Sequence, residues 1–267
     1  MPTLMTTGPT GTFGELAKIR SALDAGPFAP GPTGRLAGIF VPWAGSRLER
    51  EGGIYYVGMA THGAYGADIP QTTFDAQLAL AESLCTNRRD HLAHTPFWQF
   101  LDGLTWALLG APSAETSDRW GWSNLLKIGW SEGAPNDWRK EMKDAQQDIC
   151  AVALRKEIER LHHSLVVIVS FSPLNVLDSD KVFPQLIQNW NMDYESNWKK
   201  DYHEQTGLWW FNDQKSGNLY VHGHHPRPAV YGGYWGSALG RTIQLARASM
   251  PRFARSVKGR RKVRHFP

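Results

Sequence analysis

SLVVIVSF, residues 164–171, carries four β-branched residues in succession, Val166 to Val169, between serines. A run this short and this apolar has the length of a strand, and its lack of alternation predicts burial on both faces, as in the centre of a parallel sheet. Outward from it, Asn136 can cap a helix from about Asp137 to His163, with Trp138, Met142, Ala145, Ile149, Cys150 and Val152 along one side. Further upstream, WGWSNLLKIGW (120–130) and GIYYVGM (53–59) read as strands, separated by the helical stretches TTFDAQLALAESL and TPFWQFLDGLTWALL. Downstream, NLYVHG (218–223) is a fourth strand and GSALGRTIQLARAS (236–249) a last helix. Near the start, FGELAKIRSALD (13–24) suits a short helix and LAGIFVPW a strand that Pro42 ends. Four strands alternating with helices predict an α/β fold: three layers, α/β/α, around a central four-stranded parallel sheet with right-handed crossovers.

A length of 267 residues and 42% hydrophobic content suit a single large domain, expected over 1–249. No stretch approaches the ~20 apolar residues of a membrane helix. The opening MPTLMTTGPTGT lacks the basic and apolar regions of a signal peptide. The expectation is a soluble, cytoplasmic or nucleoid-associated protein, with no membrane contact and monomeric. Cys85 and Cys150 have neither metal-motif spacing nor the number for a disulfide framework, and read as core residues. From Arg241 to Pro267 there are nine Lys or Arg and no acid, while the rest of the chain holds 20 basic and 25 acidic side chains. A basic tail over 250–267 follows, suited to neutralising phosphates or simply to keeping the chain solvated.

In open parallel sheets, ligands sit beyond the carboxyl ends of the strands. The unusual polar residues fall there: His62 and Tyr65 after the first strand, Asn124 and Lys127 at the second, Ser172 and Asn175 after the third, His222 to Arg227 after the fourth. There is no phosphate-binding loop of the G-x-x-x-x-G-K-[ST] type and no G-x-G-x-x-G. Gly121-Trp122-Ser123-Asn124-Leu125 lacks the final glycine of a nucleophile elbow, which disfavours a serine hydrolase. His222, His224 and His225 lack an acidic or cysteine partner at a recognised metal spacing, so no metal is expected.

Three stretches in order carry a more specific signal: Gly58-Met59-Ala60-Thr61-His62-Gly63 after a strand, Ser123-Asn124-Leu125-Leu126-Lys127, and His225-Pro226-Arg227 after another strand. Over residues 53 to 248 this order resembles the uracil-DNA glycosylase superfamily. Its members carry a first motif of the type G-E-A-P-G or G-Q-D-P-Y, a base-reading asparagine (T-N-V-V-K in one branch), and a closing H-P-S or H-P-A. The resemblance implies a monofunctional DNA glycosylase that flips a base from DNA, hydrolyses its N-glycosidic bond without a cofactor and leaves an abasic site. On that basis Asn124 reads the base and His225 stabilises the departing anion. Tyr65 or a neighbouring aromatic supplies a stack, and the substrate pocket is formed by Gly58, Met59, Ala60, Thr61, Gly63, Tyr65 and Asn124. DNA is held by Lys127, Arg227, Arg252, Arg255, Lys258, Arg260, Arg261, Lys262 and Arg264.

An asparagine edge can both donate and accept to a flipped base, and an imidazole suits a developing anion. One departure stands out: Met59, Ala60 and Thr61 occupy the place where the family supplies a carboxylate or asparagine to position water. Asp68 and His62 are the nearest substitutes, although Asp68 can equally cap the helix that starts near Thr72. Small Ala60, Gly63 and Gly66 leave room at C5 of a pyrimidine. A bulky base such as glucosylated hydroxymethylcytosine, removed by some relatives in phage defence, is therefore an expectation alongside uracil. Two other readings remain open: a non-catalytic DNA-binding module of the same fold, and a hydrolase of a small nucleotide or ester. Trp190, Trp198, Trp209 and Trp210 cluster in a stretch that looks irregular, where they can line a pocket or fill core under a loop.

Overall fold

The structure, a computed structural model, describes residues 11–26, 36–59, 74–86, 95–130, 140–170, 208–224 and 234–254. In chain order its elements are α1 (Thr12–Asp24), β1 (Leu36–Ile39), β2 (Trp43–Ala44), α2 (Leu48–Glu51), β3 (Ile54–Gly58), α3 (Phe74–Thr86) and α4 (Pro96–Leu109). After a single 3-10 turn at Ser117–Arg119 come β4 (Trp120–Asn124), β5 (Ile128–Trp130), α5 (Lys140–Ile158), β6 (Leu165–Ser170), β7 (Trp209–Asp213), β8 (Asn218–His224), α6 (Tyr234–Ser249) and α7 (Pro251–Ala254).

The protein is mixed α/β, with a mostly parallel six-stranded sheet in the order β2-β4-β3-β6-β8-β7. The four strands expected from the sequence are β3, β4, β6 and β8, and they pair with one another in parallel. The sheet is larger than expected because two antiparallel strands border it: β2 against β4, and β7 against β8. Trp209 and Trp210 therefore belong to an edge strand and not to irregular chain, and the Arg241 guanidinium stacks 5.1 Å from the Trp210 ring centre. Within β6, Leu165 to Val169 are all at most 3% exposed, as a continuous β-branched run requires. Burial of each such aliphatic side chain contributes about 1.5–3 kcal/mol.

Among the described residues the helices gather in two hydrophobic clusters. In one, Trp98, Leu101, Leu104 and Leu108 of α4 and Leu245 and Ala246 of α6 pack with Ile54, Tyr56, Trp120, Trp122, Val167 and Val221 of the sheet. In the other, Leu16 and Leu23 of α1 meet Met142 and Cys150 of α5 around Leu36, Ile39 and Ile128. Helix α4 starts on Pro96, whose missing N–H costs nothing at the first turn, and stops at Gly110 in the left-handed conformation (φ 82°), whose N–H bonds the carbonyl of Trp106. The Tyr56 hydroxyl bonds the Leu101 carbonyl and Thr105 Oγ1 (3.2 and 2.8 Å), locking β3 to α4.

Three expectations need correction. The 120–130 strand is two strands, β4 and β5, with a bend at 125–127; β5 leaves the main sheet to pair with β1. Helix α5 ends at Ile158, and its buried face is Met142, Gln146, Cys150, Leu154 and Glu157; Val152 is 40% exposed and Ala145 is exposed. Two polar residues replace the expected apolar ones because they bond groups of the β4–β5 bend. Finally, Met250 and Phe253 lie in the core, so the body extends at least to Phe253 and not only to residue 249.

Candidate functional site

Strand β3 leads through α3 and α4 to β4, on one side of it in the sheet; β4 leads through β5 and α5 to β6, on the other side. Neighbouring strands whose outgoing chains go to helices of different clusters leave a crevice between their carboxyl ends, the usual ligand position in such sheets. Gly58 and Asn124 face each other in register at that point. The ladder then continues past the strand end: the Leu125 and Leu126 N–H groups donate to the carbonyls of Gly58 and Met59 (2.8 and 2.9 Å).

Asn124 is 2% exposed, and its Nδ2 has no hydrogen-bond partner among the described residues. A buried amide donor left unpaired costs about 1–3 kcal/mol. Such a cost is sustained where a ligand or water supplies the acceptor. Gly58 makes the arrangement possible, since a Cβ there would stand 2.6 Å from Asn124 Oδ1, 3.6 Å from Phe97 Cε2 and 3.7 Å from Trp122 Nε1. The wall beside the amide is aromatic. Phe97 from the first turn of α4 lies 5.4 Å from Trp98 and 6.1 Å from Trp122, with Trp98 and Trp122 5.0 Å apart edge to face. Met59 is buried at 2%.

On the opposite face of β4 the chemistry is ionic. Consecutive strand residues point to opposite faces, so Ser123 turns toward α5 while Asn124 turns toward α4. Lys127 Nζ lies 2.8 Å from Glu157 Oε1, with the two side chains 1% and 2% exposed, and also donates to Ser123 Oγ. Glu157 Oε2 accepts the hydroxyls of Ser123 (2.6 Å) and Tyr55 (2.9 Å). The rest of the bend is fastened to α5 as well. The Lys127 N–H reaches Cys150 Sγ at 3.4 Å, and Gln146 accepts the Ile128 N–H (2.7 Å) while donating to its carbonyl (2.9 Å). Burial, then the Glu157 charge, pushes the Tyr55 hydroxyl well above its ordinary value. Burial likewise pushes the Cys150 thiol up to about 12, against a smaller opposing pull from Lys127. A cavity of about 90 Å³ lies on this face, lined by Phe13, Phe40, Pro42 and Lys127. It is well below the ~300 Å³ of small-ligand pockets and separate from the crevice at Asn124.

Of the expected site residues, Gly58, Met59 and Asn124 are therefore brought together. Lys127 is not a DNA contact: its ammonium is sealed against Glu157 in the interior. Arg252 is not at this rim either. Its Nη1 donates to the Glu51 carbonyl, three residues before β3 begins, at the opposite end of the sheet. His222 is buried within β8 opposite Trp209, two residues short of the strand end. Cys85 and Cys150 are both buried with free thiols, as expected. His62, Tyr65, Asp68, Ala60, Thr61, Gly63, Gly66, Ser172, Asn175, Trp190, Trp198, His225, Arg227, Arg255, Lys258, Arg260, Arg261, Lys262 and Arg264 lie outside the described residues.

Three participants escaped the sequence reading: Phe97, Gln146 and Glu157. For Glu157 a signal exists, because it lies three residues past Leu154, which ends the four-residue series Met142, Gln146, Cys150 and Leu154, and so falls on the same buried helix face. For Phe97 there is none, since an aromatic at the second position of a helix is ordinary.

Among the described residues, no group of three or more His, Cys, Asp or Glu could hold a metal ion, and no helix is long and apolar enough to cross a membrane. The chain matches no protein-family model, and no curated protein matches it.

Proposed function

We propose that this protein has the three-layer α/β/α fold of the uracil-DNA glycosylase superfamily and is a DNA glycosylase that takes a flipped pyrimidine, uracil or a bulkier modified base, into the crevice between β3 and β4. The observation that carries the reading is the buried, unpaired amide of Asn124 against Gly58. A nucleobase edge offers that donor an acceptor, and rotation of the amide would match either a carbonyl or an amino group. Phe97 joins the proposal as the aromatic face for the base, beside or in place of Tyr65. His225, one residue past β8, is assigned the leaving anion, Asp68 or His62 the attacking water, and Arg227 a phosphate. Water adds to C1′ of the sugar as the base departs with its bonding pair and takes a proton.

The test is excision from duplexes carrying uracil, hydroxymethylcytosine or its glucosylated form, followed by alkali, which breaks strands at emptied sugars. Breaks that disappear in Asn124→Ala support the reading; intact strands with every base, alongside unchanged DNA binding, overturn catalysis. A non-catalytic DNA-binding module of the same fold is the second reading, favoured by the buried Met59 where the family's first motif would supply a water-positioning group. That reading expects affinity for the modified duplex without breaks.

A further inference from the structure

Lys127 and Glu157 are the only buried Lys, Arg, Asp or Glu side chains among the described residues. A buried ion pair is often no more stabilising than apolar side chains of the same volume, so the use of this one lies in what it holds in place. Oε2 of Glu157 accepts the hydroxyl of Tyr55 on β3 (2.9 Å) and that of Ser123 on β4 (2.6 Å). Oε1 meets the ammonium of Lys127, in the bend that follows β4, at 2.8 Å. Tyr55 lies three residues before Gly58, Ser123 directly precedes Asn124, and Lys127 follows Asn124 by three. One carboxylate on α5 thus joins both strands whose ends form the crevice, and the chain just beyond it.

The tie between the strands is diagonal. Tyr55 stands in register with Gly121, and Val57 with Ser123. Gly121 leaves the room for the Tyr55 ring, since a Cβ there would be 2.8 Å from Tyr55 Cδ2. A bond that runs from one strand to a position further along the next opposes sliding of β4 along β3. Such a slide would change the place of the Asn124 amide relative to Gly58, where a Cβ would already stand 2.6 Å from Asn124 Oδ1. The crevice end of the same segment is fastened by the Leu125 and Leu126 N–H groups on the Gly58 and Met59 carbonyls.

We infer that Glu157 is a positioning residue of the crevice: from the opposite face of the sheet, through Tyr55, Ser123 and Lys127, it holds the Asn124 amide in register with Gly58. Its effect on a bound base rests on the reading of the crevice as the site of excision, whereas the hold on the strand ends does not. Glu157 itself touches no ligand. A misplacement of about 1 Å at a reacting centre costs about 100-fold in rate, which sets the scale of what such a tie protects.

Amide hydrogen exchange on the full chain tests the hold on the strand ends. Tyr55→Phe removes the tie to β3 and leaves Ser123 and the ion pair in place. Exchange at Leu125 and Leu126 should then quicken about tenfold more than at Val221, which lies in β8 with a strand on either side. Equal acceleration at all three, as a change in global stability alone would give, overturns the inference, and so does no change at any of them. Ser123→Ala cuts the tie to β4 instead and should give the same excess, which keeps the test available if Tyr55→Phe does not fold. On a duplex carrying uracil, Tyr55→Phe should lower kcat about 10- to 100-fold with KM within about threefold of wild type. An unchanged kcat overturns the link from the tie to the amide. A wild-type chain that leaves the duplex intact refutes excision and not the tie, on which the exchange rates still decide.

Discussion

Replacing Lys127 by methionine should cost far more than loss of a surface lysine. Its ammonium and the Glu157 carboxylate are 2.8 Å apart, with side chains 1% and 2% exposed. Methionine keeps most of the apolar stem, so the change isolates the charge. Glu157 would be left buried with only the hydroxyls of Ser123 and Tyr55 as donors. Stranding one member of a buried ion pair costs about 3–5 kcal/mol, and two neutral hydrogen bonds do not replace a cation. Lys127→Met is therefore expected to lose about 3–4 kcal/mol, and Glu157→Gln a similar amount by stranding the ammonium. The double variant carries no buried charge and keeps an oxygen for both hydroxyls, so it should lie within about 1–2 kcal/mol of wild type. Urea unfolding followed by tryptophan fluorescence would give all four stabilities, with an unchanged denaturant slope confirming a common native state. A loss below about 1 kcal/mol in Lys127→Met would equal that of an exposed pair and refute the sealed network. So would a double variant as unstable as the sum of the singles.

At the crevice, Gly58→Ala should destabilise by about 1–3 kcal/mol, because its methyl carbon would sit 2.6 Å from Asn124 Oδ1. Asn124→Ala should do the opposite, leaving stability unchanged or raised by up to about 2 kcal/mol, since it deletes an unpaired donor; a clear loss in calorimetry would mean that the amide serves the fold. Gln146→Leu removes both partners of the Ile128 backbone and is expected to cost about 2–4 kcal/mol in denaturant titration, a value under 1 arguing that water replaces the side chain. Alkali should also destabilise the protein. The Cys150 thiol is raised from 9.0 to about 12, so its contribution is complete below about pH 9 and is lost as pH climbs through 12, at up to about 1.4 kcal/mol per pH unit. Tyr55 and Tyr220, also raised by burial, act in the same direction at higher pH. Cys150→Ala should flatten the decline between pH 9 and 12, and an identical profile would remove the thiol from the account.

Local pattern was enough for the four parallel strands, for helix α4 between its proline and glycine, and for the burial of both cysteines. Each depends on residues within one element: β-branching, apolar period, a first-turn proline, a left-handed glycine. Asn124 and Gly58 were also legible as strand-end residues, though not the contact between them. The position of Lys127 at a strand end suggested exposure, and only the structure shows the bend that folds it back under β4. The opposed faces of Ser123 and Asn124 follow from strand period; what each face meets does not. Tyr55 finds Glu157 across 102 residues and Arg252 finds Glu51 across 201. By itself, then, the chain order determined the four parallel strands and the longer helices between them, because those choices minimise local backbone and side-chain cost, while the edge strand β7 and the break between β4 and β5 needed the sheet around them. Which polar residues are sealed in ion pairs and where an amide is left without a partner were decided by tertiary packing, because charge and hydrogen-bond partners are set by distance in space and not along the chain.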